Sequence, residues 1–278
     1  MADRATTDRE RLWATYQQVE KWREITSTPQ RVDPHSSIGA DDRLFSVVPV
    51  SHLIWHGISH AVDHLDMYLH ALVETKMSFP IAPQSLARSG LLGAAHALWM
   101  LDEPNRAQRQ LRALRIAHEE WRNERNAYQD LIDWGEGTPG MKTLIDVRTD
   151  WMACAIEAGE SIGWTAVEVK TKPIDTVLIE DVITRYESSD LGQPRDISLR
   201  AAYLLMWRML SGSTHGYRWA AIPRTRFRDA DARHSGSGDV DGYLTNSEEQ
   251  HAMSAGALAL LIKRAIELYD LRRAPHIT

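Results

Sequence analysis

Apolar residues recur every three or four positions along most of this chain, which is the spacing of an amphipathic α-helix. Polar segments rich in Pro, Gly and Ser separate the runs that show this spacing. The predicted helices cover about residues 7–25, 50–77, 84–101, 102–133, 139–161, 175–186, 197–210 and 247–272. Because most connections between these helices are short, the pattern favours an all-α fold, an antiparallel helical bundle of about seven to eight helices.

Two stretches lack the helical spacing. Residues 164–172 alternate between polar and apolar as a strand does, but a lone strand is marginally stable, so we predict an extended linker there. Residues 216–245 are rich in Gly, Asp and Arg and are predicted to form a long loop. The predicted organisation is an N-terminal helix and loop over residues 1–46 and a single helical bundle domain over residues 47–278.

The composition narrows the class of protein. The 278 residues are 43% hydrophobic and 25% charged, which is typical of a globular domain. The net charge of −6 argues against a nucleic-acid-binding protein that is basic over its whole surface. The single cysteine, Cys154, and the polar N-terminus favour a cytoplasmic location. The apolar stretch 255–262 is too short to span a membrane. The ten tryptophans are expected to act mainly as core anchors.

Histidines form the most distinctive pattern in the chain. His52, His56, His60 and His64 follow one another at intervals of four, so on a helix they would form a ladder. Because each step of four turns by about 40°, only adjacent pairs such as His56 with His60, or His60 with His64, can bind one ion. Such a pair suits a transition metal such as Zn or Fe, with Asp63 as a further ligand or as the hydrogen-bond partner of an imidazole.

A metal site of this kind needs ligands from other helices, where His96, His118 and Glu119 are available. The alternative is that the histidines are hydrogen-bonded core residues or face solvent. Neither the Glu-x-x-His repeats of di-iron bundles nor the His-Glu-x-x-His pattern of zinc proteases is present in the sequence. Any metal site would therefore use a different framework.

A second candidate site lies where the seventh predicted helix ends. Arg208 and His215 are seven residues apart, so they would share a face if the helix continued through Gly212. A guanidinium holds a phosphate in a forked geometry and stabilises developing negative charge, while an imidazole moves protons. The pair therefore suits cleavage of RNA, whose own 2′-hydroxyl is the nucleophile.

An arginine followed by four to six residues and a histidine, in an all-helical protein, resembles the HEPN superfamily. Many members of that superfamily are metal-independent ribonucleases with a site at a two-fold interface. The resemblance implies that Arg208 and His215 are catalytic, that RNA is the ligand, that no cofactor is needed and that the protein is a homodimer. Met209 departs from the pattern, because a polar residue usually follows the arginine.

A broader resemblance is to a family of all-helical proteins common in actinobacteria. It is carried by residues 60–65, 88–101, 109–114 and 210–216. The resemblance implies the fold class and a cytoplasmic setting, and it implies no particular activity. If the ladder helix packs against the end of the Arg208 helix, His60, His64 and His215 would belong to one pocket.

A basic segment follows His215 directly. It contains Arg218, Arg224, Arg226, Arg228, Arg233 and His234. In an acidic protein such a segment is a candidate for binding an anion or a nucleic-acid backbone, above all through Arg218, Arg224 and Arg226. The alternative is a solvated loop whose arginines pair with nearby aspartates.

Three functions are consistent with these patterns. The first is a HEPN-like, metal-independent ribonuclease that uses Arg208 and His215. The second is a metal-binding helical-bundle enzyme that uses the histidine ladder. The third is a non-enzymatic binding or regulatory protein whose histidines are structural.

Overall fold

Helices dominate the computed structural model, which describes residues 2–45, 47–75, 79–189, 198–227 and 242–275. In these residues the α-helices are α1 (Ala2–Thr26), α2 (Ser37–Asp42), α3 (Val50–Val73), α4 (Ala82–Leu101), α5 (Arg106–Asp133), α6 (Pro139–Ser161), α7 (Ala166–Lys170), α8 (Asp175–Ser189), α9 (Leu199–Thr214), α10 (Arg218–Ala221) and α11 (Glu248–Arg273). A 3₁₀ turn (Ile222–Arg224) and two antiparallel strands, β1 (Thr225–Phe227) and β2 (Gly242–Leu244), complete them. The all-α prediction is confirmed.

The prediction of an extended linker over 164–172 is wrong. This stretch contains α7, which begins at a capping box: Glu168 N–H donates to Thr165 Oγ1, and Thr165 N–H donates to the Glu168 carboxylate. Val169 is then fully buried. The alternation resembled a strand because a single helical turn is too short to show a helical period.

The prediction of one long loop over 216–245 is also wrong in its described part. The chain forms α10 and the 3₁₀ turn directly after α9, and β1 then pairs with β2 in antiparallel register. Pro223 suits the first turn of the 3₁₀ segment. The loop predicted before α3 likewise contains α2, whose first turn is capped by the Ser36 hydroxyl.

The chain divides into two compact units. Unit 1 comprises residues 1–28, 59–94 and 186–263, and unit 2 comprises residues 29–58, 95–185 and 264–278. The division into residues 1–46 and 47–278 stays a prediction. Among the described residues, no helix combines the length and the apolar character that a membrane span requires.

In unit 1, a glycine on α4 lets two other helices approach closely. A Cβ at Gly90 would lie 2.7 Å from Leu258 Cδ2 of α11 and 3.3 Å from the Ala61 carbonyl oxygen of α3. Gly93 and Ala94 of α4 are also buried. Small side chains at this contact therefore place the backbones of α3, α4 and α11 near one another.

A buried tyrosine and histidine also join α3 to α11 within unit 1. The hydroxyl oxygen of Tyr68 lies 2.8 Å from His251 Nδ1, and both side chains are buried. Burial, with a smaller contribution from the cationic Arg224, lowers the pKa of His251 to about 4. His251 is therefore neutral in the folded protein at neutral pH.

This pair predicts an acid-sensitive stability. Between pH 6.5 and pH 4 the unfolded chain protonates His251 while the folded chain does not, so stability is lost as the pH falls through this window. The loss from this one group should approach about 1.4 kcal/mol per pH unit. His251→Gln keeps a hydrogen-bonding partner for Tyr68 but does not titrate. Urea unfolding at several pH values from 6.5 to 4 should therefore show that its free energy of unfolding falls less steeply with decreasing pH than that of wild type. Equal slopes would contradict the prediction.

In unit 2, α5 packs against α6 and α7. Leu111, Leu114 and Trp121 of α5 form a buried cluster with Ala155 of α6 and Val169 of α7. The absence of a side chain at Gly159 permits the contact with α7, because a Cβ there would overlap Val169 Cγ2. The packing explains why α7 forms although it is only one turn long.

Unit 2 also buries a charged group where α2 meets α5. Arg109 Nε donates to Asp41 Oδ2 at 3.0 Å, and both side chains are almost fully buried. Arg109 also donates to Ser37 Oγ and to the carbonyl oxygens of Glu103 and Pro104, which leaves its guanidinium well satisfied. Arg106 approaches the other Asp41 oxygen from a half-exposed position.

Candidate nucleic-acid interface

Helix α9 carries the predicted arginine–histidine pair. The Ser198 hydroxyl caps its first turn, and Tyr203, Trp207 and Leu210 form its buried face. The helix continues through Gly212 to Thr214, and His215 is its C-cap. Arg208 and His215 are therefore two turns apart, about 10.5 Å along the axis, on one face, and both are exposed.

Two arginines hold α9 in place within unit 1. The Arg88 guanidinium of α4 lies 4.7 Å from the centre of the Trp207 ring, and its Nε donates to Ser211 Oγ at 3.3 Å. Arg224 Nη2 donates to Ser213 Oγ at 2.9 Å. Ser211 and Ser213, on either side of Gly212, are thus each held by an arginine side chain.

Arg224, predicted to bind an anion, is buried. Its guanidinium donates to the carbonyl oxygens of Pro80 and Ala220 and to Asn246 Oδ1, in addition to Ser213. Burial lowers the pKa of this guanidinium. In the described residues its contacts are structural, since they tie the end of α9 to the segments on either side.

The chain reverses sharply after α9. Tyr217 N–H donates to the Gly212 carbonyl at 2.8 Å, and Gly216 N–H donates to the Ser213 carbonyl at 3.1 Å, which is the hydrogen-bond pattern of a Schellman motif. Gly216 has φ +71°, a left-handed conformation that other residues rarely adopt. This turn folds the next residues back along the outer side of α9.

Trp219 lies over Gly212 as a result of this reversal. A Cβ at Gly212 would be 2.6 Å from Trp219 Cζ2 and 3.0 Å from Cε2, so only glycine admits the six-membered ring here. Gly212 is one turn from Arg208 and one turn from His215 on the same face. The indole therefore covers Gly212, which lies between Arg208 and His215 along the helix, and Trp219 is 48% exposed.

We call this surface the α9 patch. It consists of Arg208, His215, Tyr217, Arg218 and Trp219, all of which are exposed. The His215 and Tyr217 rings are 5.8 Å apart at their centres. The sequence contains no aspartate or glutamate between residues 198 and 227. Positive charge and exposed aromatic rings thus coincide on one side of unit 1.

The two aromatic members of the patch, Tyr217 and Trp219, were not predicted from the sequence as site residues. The prediction that the tryptophans are core anchors is confirmed for Trp22, Trp99, Trp121 and Trp207, which are buried. It is wrong for Trp13, Trp134 and Trp219, which are exposed. Two glycines could have identified Trp219. Gly216, three residues before it, can end a helix, and Gly212 lies within that helix and leaves space for a ring.

The histidine ladder lies on α3, as predicted. His52 and His56 are exposed, whereas His60 and His64 are half-buried, because each step of four rotates around the helix. The centres of the His60 and His64 rings are 4.1 Å apart, and His64 Nδ1 donates to the His60 carbonyl oxygen at 2.8 Å. Nε2 is therefore the basic nitrogen of a neutral His64.

The described residues contain no group of three or more His, Cys, Asp or Glu side chains that could hold a metal ion. Asp63 is exposed. His118 is buried, and its Nε2 has no hydrogen-bond partner among the described residues. Burial lowers the pKa of both His96 and His118, so both favour the neutral form.

The remaining basic residues are described only in part. Arg226 lies in β1, opposite Tyr243 of β2. Arg228, Arg233 and His234 lie outside the described residues. Of the three arginines predicted to bind an anion, Arg218 is the one that the structure shows exposed next to His215.

Comparisons of this chain with protein-family models, with curated proteins and with solved structures find no match. The resemblances to the HEPN superfamily and to the helical family of actinobacteria therefore stay predictions. The chemistry of the α9 patch is inferred from its side chains.

Proposed function

We propose that the protein is a HEPN-like, metal-independent ribonuclease in which Arg208 and His215 are the catalytic residues. One observation carries the proposal: α9 is unbroken through Gly212, so an arginine and a histidine share its exposed face. An exposed pair is accessible to a polymeric substrate. The lack of carboxylates between residues 198 and 227 favours a polyanion.

The chemistry is a transesterification within the RNA. The 2′-hydroxyl oxygen forms a bond to phosphorus, and the bond from phosphorus to the 5′-oxygen of the next nucleotide breaks. His215 accepts the proton of the 2′-hydroxyl and returns it to the leaving 5′-oxygen. Arg208 stabilises the charge that develops on the phosphoryl oxygens. The products are a 2′,3′-cyclic phosphate and a 5′-hydroxyl.

A homodimer fits this proposal. Arg208 and His215 are separated by about 10.5 Å along the helix, so a second copy could supply the partner group at each phosphate. Arg218, next in sequence to Tyr217, is available to bind a neighbouring phosphate. A cytoplasmic location, expected from the single cysteine, would give the protein access to RNA.

We predict that a single-stranded RNA is cleaved in the presence of excess EDTA. Because the nucleophile is the 2′-hydroxyl, the same oligonucleotide with 2′-deoxyribose at the cleaved position should resist cleavage there. Denaturing gel electrophoresis measures both results. Cleavage that stops in EDTA, or that continues at the deoxy position, would contradict the proposed mechanism.

Two alternatives remain as predictions. A metal enzyme built on the ladder should contain a transition metal that is lost in His60→Ala/His64→Ala, which elemental analysis measures. The same double variant should leave RNA cleavage at the α9 patch intact if our proposal is correct. A non-enzymatic binding protein would show neither metal nor cleavage.

A further inference from the structure

The side chain of Trp219 is unusual for a large aromatic residue. Its six-membered ring lies against the backbone at Gly212, and Ala220 Cβ packs at the same position. About half of the surface of this residue nevertheless remains exposed. Since the ring is supported from below by a helix and fixed by a Schellman turn, it presents an ordered aromatic surface to solvent.

The surroundings of the ring define what could cover it. Arg208 lies one turn before Gly212, His215 lies nearly one turn after it, and Arg218 is adjacent in sequence. The described helix and turn contribute no carboxylate to this surface. An apolar protein segment would leave these cations without partners, whereas a ligand with a flat ring and an attached phosphate would satisfy both features.

We infer that Trp219 is a stacking platform for an unpaired nucleobase of a single-stranded nucleic acid, and that Arg208 and Arg218 bind the phosphates on either side. A base in a duplex is already stacked on its neighbours and cannot lie flat on the indole. The platform therefore selects single-stranded segments or loops. Stacking on an aromatic ring accepts every base, so we expect little sequence preference at this position.

The inference rests on the proposed function, because the platform and the catalytic pair occupy one surface. It can nevertheless be tested without catalysis. A fluorescein-labelled single-stranded DNA 12-mer lacks the 2′-hydroxyl, so it cannot be cleaved by the proposed reaction. Fluorescence anisotropy then measures binding alone.

The variants separate stacking from folding. Trp219→Leu keeps apolar contact with Gly212 but removes the aromatic ring, and Gly212→Ala keeps Trp219 but forces the ring to move. Trp134→Leu is the matched control, because Trp134 is exposed at the end of α5 in unit 2. Thermal unfolding monitored by circular dichroism identifies any variant that fails to fold.

We expect Trp219→Leu to raise the Kd for the single strand roughly 5- to 150-fold, since stacking on one aromatic residue contributes about 1–3 kcal/mol. Gly212→Ala should also weaken binding, Trp134→Leu should not, and a duplex of the same sequence should bind less tightly than the single strand. Wild-type affinity in Trp219→Leu, equal affinity for duplex and single strand, or no binding by wild type would overturn the inference.

The two proposals fail in different ways. If binding depends on Trp219 but RNA is not cleaved, the platform stands and the ribonuclease does not. If RNA is cleaved but binding is unchanged in Trp219→Leu, the ribonuclease stands and the platform does not.

Discussion

Replacement of His215 by alanine is expected to lower the rate of RNA cleavage by about 10²- to 10⁴-fold, which is the usual contribution of a general acid–base group. His215 is exposed at the C-cap of α9, and the turn that follows it is held by backbone hydrogen bonds. The free energy of unfolding should therefore change by less than about 0.5 kcal/mol. Single-turnover cleavage and urea unfolding measure the two quantities separately.

Arg208 provides the second half of this test. Arg208→Lys keeps the charge but loses the planar fork that binds two phosphoryl oxygens, so it should be nearly as slow as Arg208→Ala. Arg200→Ala removes an exposed arginine from the same helix, outside the proposed site, and should retain most activity. Full activity in His215→Ala, or equal losses in Arg200→Ala and Arg208→Ala, would contradict the assignment.

The largest effect on stability is expected at the buried carboxylate of unit 2. Asp41→Asn leaves the Arg109 guanidinium buried without an anion, which should lower the free energy of unfolding by about 3–5 kcal/mol. Burial raises the pKa of Asp41 although Arg109 and Arg106 both lower it, so desolvation offsets much of the attraction. The expected loss in the free energy of unfolding therefore comes mainly from the Arg109 guanidinium, which stays buried without a carboxylate partner.

Arg106 is the control for this prediction, because it contacts the same carboxylate from a half-exposed position. Arg106→Gln should cost less than about 1 kcal/mol. If desolvation is as large as we infer, Asp41→Leu/Arg109→Met should be more stable than Asp41→Asn. A loss below about 1 kcal/mol in Asp41→Asn would show that the buried pair contributes little.

Local signals were sufficient to predict much of the helical structure. The helices predicted over 139–161 and 247–272 are present as α6, which Thr138 caps, and as α11, which begins at a capping box formed by Ser247 and Gln250. The short segments were missed, since α7 and α10 are too short to show a helical period and are stabilised by tertiary packing. Residues such as Val169 are buried only because α5 and α6 lie beside them.

The candidate site was predictable only along one helix. The spacing of Arg208 and His215 places them on one face if the helix is continuous, and the structure shows that it is. The position of Trp219 depends instead on the left-handed Gly216 and on the open backbone at Gly212, which together return the chain over the helix. A sequence pattern does not give the direction in which a chain leaves a helix.

The ladder shows a related limit of periodicity. A spacing of four correctly places four histidines on α3, yet their exposure changes along the helix because 3.6 residues complete a turn. Ligands that converge on one ion must also come from other helices, and residue spacing within one helix does not predict them.

The most direct test of the ribonuclease is to identify the ends of the RNA fragments by mass spectrometry, after incubation with wild type and with His215→Ala in EDTA. We predict fragments with 2′,3′-cyclic phosphate and 5′-hydroxyl ends from wild type, and intact RNA from His215→Ala. Fragments with 5′-phosphate ends, or the same fragments from both proteins, would contradict a site formed by Arg208 and His215.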